Sequence, residues 1–198
     1  MRTRFLWLVI ALLPMHHVLA TPQGGLKVSL GVGSSPAPAS SATPANRPTP
    51  PPVVPFAQLL PFLPAVPAGW TAEKPGGSTT EIEVFNLSTV TQTYQKGDDE
   101  NAPVVTVTII DAGGHKGYFD ATTLQWKINA QNADGYDKTV EIDGMRGYEH
   151  YSTANNSGSL SVIVANRYFI QVEVANQDPK ELREWIKKID LKKLGELK

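Results

Sequence analysis

Near the end of this chain two apolar strands run directly into an amphipathic helix, and no other stretch restricts the possible folds as strongly. Ser159 to Ala165 (SLSVIVA) and Tyr168 to Val174 (YFIQVEV) are strand-length runs rich in β-branched and aromatic residues, the chemistry of a half-buried pleated surface. After Asp178, a good N-cap, and Pro179, which suits the first helical position, Leu182, Trp185, Ile186 and Ile189 recur at i, i+3, i+4 and i+7. That spacing puts all four on one face of a helix over Pro179 to Ile189, with Arg183, Glu184, Lys187 and Lys188 on the other. Glu181 meets the positive end of the helix dipole, and Leu191, Leu194 and Leu197 continue a looser apolar series. A stripe of that kind must be buried, and the adjoining strands are the surface that buries it. The fold class is therefore α+β.

The residues upstream extend the same sheet. Asp143-Gly144, between the runs Lys138 to Ile142 and Met145 to Tyr151, is a hairpin signal, because both central positions of such a turn take positive φ. A second polar turn, Asn155 to Gly158, leads into the two strands above, so that four strands form an antiparallel meander. Earlier, Glu81 to Lys96 and Val104 to Asp111 flank the polar turn Gly97 to Asn101 and read as a hairpin, with Val105, Val107 and Ile109 on its buried side. Between the two units, Tyr118 to Ala133 places Ala121, Leu124 and Ile128 on one side of a helix and Phe119, Trp126 and Ala130 on an adjoining side. The expected architecture is an antiparallel sheet of about six strands, built as hairpin, helix and four-strand meander, with the C-terminal amphipathic helix packed on it.

Residues 1–20 have the form of a secretory signal peptide: Arg2 and Arg4, an apolar run from Phe5 to Leu13, Pro14, then Val18 and Ala20 at the small-residue positions before Thr21. The apolar run falls well short of the roughly 20 residues that span a bilayer, so no stable membrane insertion is expected once it is cleaved. Residues 21–55 are rich in Gly, Pro, Ser and Ala, with Lys27 and Arg47 as their only charges, a composition that favours a disordered or polyproline spacer over a core. A single domain is expected over residues 56–198, opening with the apolar strap Phe56, Leu59, Leu60 and Leu63 and with Trp70 plugging the core. The chain has no cysteine, which removes a disulfide framework and a cysteine nucleophile and leaves the core alone to hold an exported domain together. From Thr71 to Pro179 fifteen acidic residues stand against seven basic ones. Such a body lacks the footprint that neutralises phosphates, so no nucleic-acid partner is expected.

Outside the signal peptide the histidines are His115 and His150. Asp111, His115, Glu149 and His150 make a metal site only if the sheet brings them together, and Glu149 and His150 are strand neighbours, which point to opposite faces. No G-x-S-x-G, S-x-x-K or H-E-x-x-H motif, phosphate loop or dinucleotide fingerprint occurs. Asp98, Asp99 and Glu100 lie in a turn that does not hold an acid or base in place. No catalytic residue, metal ligand or cofactor is assigned. The aromatics remain: Trp126, Tyr148, Tyr151, Tyr168 and Phe169 are the candidate contacts for a ligand or partner. Tyr148 and Tyr151 have opposite parity on one strand, so one of them faces away from the main core.

Pro67-Ala68-Gly69-Trp70, Tyr94 with Lys96-Gly97, the strand end Ile110-Asp111, Gly144 before Tyr148, Gly158 to Arg167, and Leu182, Trp185, Ile189-Asp190 and Lys193-Leu194 together make residues 56–198 resemble a group of uncharacterised exported bacterial proteins. The layout is also similar to the PsbP/Mog1-like sandwich, a resemblance that implies an accessory or binding role and carries no catalytic residues over. The expected function is an exported, non-enzymatic binding or accessory module of the periplasm or envelope, whose partner is an envelope protein or a small ligand. One alternative is a small-ligand or lipid carrier, its pocket between sheet and helix among Trp126, Tyr168 and Phe169. The other is a hydrolase or metal-dependent enzyme with an acidic site around Asp111, His115 and His150.

Overall fold

The computed structural model describes residues 50–81 and 85–198; the expected signal peptide and most of the expected spacer lie outside them. Among the described residues nine strands form one antiparallel sheet: β1 (Thr71–Ala72), β2 (Gly76–Glu81), β3 (Asn86–Gln95), β4 (Val104–Asp111), β5 (Ala130–Asn132), β6 (Gly135–Ile142), β7 (Met145–Ser152), β8 (Ser157–Val164) and β9 (Tyr168–Ala175). Their order is β1-β3-β4-β9-β8-β7-β6-β5, with β2 pairing further along the same edge of β3 as β1. The helices are short: α1 (Phe56–Leu59), α2 (Lys116–Thr122), α3 (Lys180–Ile186) and α4 (Leu191–Glu196). The α+β class and the hairpin-then-meander order match the expectation from sequence. The strand count does not, because the three added strands carry no apolar alternation: β1 is two residues long and β2 (GGSTTE) and β5 (AQN) are exposed throughout, and all three attach to the sheet by backbone pairing.

Alternation along the strands gives the sheet two faces with different covers. On one, Val90 and Tyr94 of β3, Val105, Val107 and Ile109 of β4, Leu160 and Val162 of β8 and Ile170 and Val172 of β9 are buried beneath Leu59, Leu182, Trp185, Ile186, Ile189, Leu191 and Leu194. Trp185 is the centre of this core, 5.0 Å from Trp70 edge-on and 4.7 Å from Tyr94. The other face has its own smaller cluster of Trp126, Tyr148 and Phe169, with Ile110, Tyr118, Phe119 and Ile163 packed against it. Beyond that cluster the second face turns polar, carrying Thr91, Thr93, Thr106, Thr108, Ser159, Gln171 and the exposed Glu173. One wet face is usual in an antiparallel sheet.

Two helices differ from the sequence reading. The helix over Tyr118 to Ala133 is confined to α2, a 3-10 turn at Leu124–Lys127 and then β5. The hydroxyls of Thr122 and Thr123 bond back to the carbonyls of Tyr118 and Phe119, each at 2.8 Å, a pattern that weakens helix propagation. Leu124 and Ile128 are also left exposed, so no apolar stripe holds the chain helical. The C-terminal helix is two helices. Asp190 leaves helical φ/ψ and accepts a hydrogen bond from the Lys193 amide at 3.0 Å, which starts α4 as a new helix and turns Leu191 and Leu194 onto the core. Asp178 takes the Lys180 amide at 2.9 Å, the capping role its side chain suggests.

The domain also begins ahead of Phe56. Val54 is buried in the main core and its amide donates to Asp111 Oδ2 at 2.8 Å. Asn86 bonds the carbonyl of Pro51 at 3.2 Å and Arg167 that of Pro52 at 3.4 Å. The end of the Pro-rich segment is thus part of the folded unit.

Candidate functional site

Polar chemistry concentrates on the β6–β7 hairpin. Its turn takes positive φ at Asp143 (50°) and Gly144 (79°) and pairs Ile142 with Met145. Every later pair follows from that one: Lys138 lies opposite Glu149, Asp137 opposite His150, and Tyr136 opposite Tyr151. Because successive residues face opposite sides, the hairpin bears two separate networks, one on each face of the sheet.

On the main-core face, Glu149 is 2 % exposed. Its Oε1 accepts from the Tyr136 hydroxyl at 2.6 Å and from Lys138 Nζ at 3.0 Å, and its Oε2 from Arg183 Nε at 3.1 Å and Nη2 at 2.9 Å. Burial by itself pushes this carboxyl up; the hydrogen bonds from Tyr136 and Lys138 and the charges of Arg183 and Lys138 outweigh it and hold Glu149 below its ordinary value. The Tyr136 phenol is driven upward by burial and then by its bond to Glu149. On the opposite face Asp137 Oδ1 accepts from the Tyr148 hydroxyl at 3.0 Å and lies 2.9 Å from His150 Nδ1. Burial, and after it Asp137, raises the Tyr148 phenol.

Beside the Glu149 network the sheet end opens into a cleft. Tyr151 donates its hydroxyl to the Gln177 carbonyl at 2.7 Å, and its ring lies 6.1 Å from that of Tyr136 at an interplanar angle of 27°. Gly158 faces Tyr151 across β7–β8, and a Cβ there would lie 2.8 Å from Tyr151 Cδ2, so the absence of a side chain is what lets the ring settle. The two rings, with Asn156, Asn176, Gln177 and Asp178, line an open cleft of about 460 Å³. Two further clefts, of about 420 and 340 Å³, run along β5 and β6 and also include Tyr136. Tyr136 is the residue at which all three meet.

The five aromatics singled out from sequence are all buried, and the sheet divides them. Trp126 lies 6.2 Å from Tyr148, nearly parallel, and 6.4 Å from Phe169, all in the smaller cluster. Tyr151 and Tyr168 belong to the main core, where the Tyr168 hydroxyl bonds the Leu197 carbonyl at 2.7 Å. Of these, Tyr151 lines the clefts around Tyr136. A carrier pocket among Trp126, Tyr168 and Phe169 is not assembled, because Tyr168 and Phe169 are strand neighbours on opposite faces.

Nor are Asp111, His115 and His150 brought together. Asp111 pairs with Tyr168, whereas His150 pairs with Ser159 and through it with Glu173, five residues along β9, or roughly 17 Å at the usual strand rise. His115 Nδ1 accepts the Tyr118 amide at 3.2 Å and caps α2. Asp111 is fully buried, and its oxygens take Arg167 Nε at 2.9 Å, Arg167 Nη2 at 2.8 Å, and the amides of Val54 and Gly113 at 2.8 Å each. Among the described residues no group of three His, Asp or Glu side chains is placed to share a metal ion. Tyr136, Asn156 and Gln177 are not among the candidate contacts expected from sequence; the hairpin turn, followed pair by pair, is the signal that places Tyr136 against Tyr151.

Comparison of the chain with protein-family models, curated proteins and solved structures gives no match in any of the three. The geometry of the sheet end is therefore the ground on which a functional reading stands.

Proposed function

We propose that this protein is an exported, non-enzymatic binding or accessory module of the bacterial envelope, and that its contact surface is the sheet end around Tyr136. Export is supported by the basic-apolar-small pattern of residues 1–20 and by the Pro-rich segment that follows. The observation that carries the reading is the convergence of three open clefts on Tyr136. The buried carboxylates, by contrast, are saturated by internal donors: Asp111 by four and Glu149 by Tyr136, Lys138 and Arg183. A carboxylate so engaged holds structure together and has no lone pair left to take a proton from a substrate. The finer likeness to PsbP/Mog1-like proteins agrees with an accessory role and rests on layout alone.

The test is amide chemical-shift mapping of the full chain against fractions of envelope extract. Shifts at Tyr136, Asn156 and Gln177 are the expected result. Shifts confined to the polar sheet face around Glu173, or none with any fraction, would overturn this assignment of the surface.

A further inference from the structure

We infer that a separate cleft, at the turn end of the β6–β7 hairpin, binds a small amphiphilic carboxylate, its anionic head on Arg146 and its apolar body on Phe119 and Ile163. The cleft lies where α2 meets the β6–β7 and β8–β9 turns, at the opposite end of the hairpin from Tyr136. Its volume is about 400 Å³, near the lower end of the range for ligand clefts, about 300–1,000 Å³, and suits a single ring or a short chain.

Arg146 sets this cleft apart. Of the three arginines among the described residues, Arg167 and Arg183 each grip a buried carboxylate with two nitrogens, on Asp111 and Glu149 respectively. Arg146 grips none. Its guanidinium lies over the ring of Trp126, 5.6 Å from the centroid. Trp126 is itself buried, nearly parallel to Tyr148, and its carbonyl is held by the Thr139 hydroxyl. A guanidinium resting on an anchored aromatic face is oriented while its N–H edge stays open, and that planar fork matches the two oxygens of a carboxylate.

The apolar and polar groups beside it are also uncommitted. Phe119 and Ile163 pack against the Trp126 cluster and remain half-buried in the cleft wall. Asn166 stands at φ 51° in the β8–β9 turn, and its exposed carboxamide makes no hydrogen bond to another described residue, so it is free to meet a polar group of the ligand in either sense. Charge then selects a monoanion. Asp120 is in the lining but is offset by its ion pair with Lys116, and Glu141 stands opposite Arg146 across the hairpin without forming an ion pair to it. One unpaired guanidinium with two carboxylates nearby favours a single negative charge and disfavours a phosphate dianion.

The test is amide chemical-shift titration of the full chain with benzoate and with hexanoate, beside benzamide as the uncharged counterpart and phenyl phosphate as the dianion. Saturating shifts at Phe119, Arg146 and Asn166 are expected with at least one carboxylate at millimolar concentration. Arg146→Met keeps an alkyl stem over Trp126, removes the fork and should weaken that binding about tenfold, as for the loss of a hydrogen bond to a charged group. Glu141→Gln removes the neighbouring charge at an exposed position and should tighten binding, a direction that damage to the fold does not produce. Asn166→Gly, which the left-handed backbone accepts without strain, should weaken it by a smaller factor. No shift in the cleft with either carboxylate overturns the site. Benzamide binding as tightly as benzoate, or Arg146→Met binding as well as the parent, overturns the anionic head, and phenyl phosphate binding more tightly than benzoate overturns the monoanion. Tyr136 is a reporter in none of these arms, so the contact surface proposed at that end stands or falls by its own test.

Discussion

Asp111 and Arg167 face each other across 56 residues of sequence in a two-pronged ion pair, and the same carboxylate takes the Val54 amide at the end of the Pro-rich segment. The pair closes the end of β4 to the β8–β9 turn and fastens the incoming chain to both. Since Asp111 is fully buried and Arg167 mostly so, Arg167→Met strands a buried carboxylate with backbone amides as its remaining donors. Removing one partner of such a pair costs about 3–5 kcal/mol. Urea unfolding should show that loss, and hydrogen exchange at the Val54 amide should quicken by more than the global change accounts for. An Arg167→Met protein as stable as the parent would mean that Asp111 is satisfied without the guanidinium.

The Glu149 network predicts an acid limb of stability. Its carboxyl is lowered in the folded state, despite burial, by Tyr136, Lys138 and Arg183. A lowered carboxyl stabilises the fold above its unfolded value, 4.5, and that stability is lost as the pH falls through the folded value. Lys138 and Arg183 are each about two-fifths exposed, so water screens their share of the effect. Glu149→Gln keeps the shape, removes the charge and should cost about 2 kcal/mol at neutral pH, the range of a hydrogen bond to a charged group. Thermal melts of both proteins from pH 7 to pH 3 should converge in acid. Parallel curves would show that Glu149 is not the titrating group.

Much of this architecture is legible in the residues, and the illegible part has a physical cause. The stripe Leu182, Trp185, Ile186 and Ile189 is buried as its spacing demands, and Asp143-Gly144 turns the chain as the dipeptide demands. The opposite parity of Tyr148 and Tyr151 does place them on opposite faces. What parity does not reveal is that the second face has its own cover, because α2 and the turn after it arrive from a stretch whose exposed Leu124 and Ile128 blur its period. The edge strands β1, β2 and β5 escape notice for a different reason: backbone pairing defines them, and backbone pairing leaves no mark on side-chain pattern. The clefts lie beyond sequence logic altogether, since they join β5, β6, the β7–β8 turn and the β9–α3 corner, which become neighbours only through the sheet order.

The two cores should fail differently. Trp185 and Trp126 are 1 % and 2 % exposed, and truncating either large aromatic to Ala costs about 3–5 kcal/mol where its cover stays docked. Trp185 joins α3 to β3 and to Trp70, so Trp185→Ala should lower stability throughout. Trp126 is tied to β6 by its carbonyl, which accepts from Thr139 Oγ1 at 2.7 Å, and otherwise covers one end of the second face. Trp126→Ala should release α2 locally, with faster exchange at the Thr123 amide and little change in β4 or β9. Equal acceleration across both regions would show one cooperative core.

Glu173 predicts the opposite pH dependence to Glu149. It stands on the polar face of the sheet, flanked across the strands by Thr106 and Ser159, and makes no ion pair with another described residue. Desolvation by the surrounding sheet raises its carboxyl above the ordinary value even though the residue keeps contact with solvent. A raised carboxyl means that the folded state holds the proton more tightly than the unfolded one, so stability falls as the pH climbs from the unfolded value through the folded value. The charged form is then a standing penalty at neutral pH. Glu173→Gln should raise the melting temperature at pH 7 and lose that advantage near pH 4, where the parent carboxyl is itself protonated. A Glu173→Gln protein less stable than the parent at pH 7 would mean that the carboxylate has a favourable partner on this face, and that the face is more than a solvated surface.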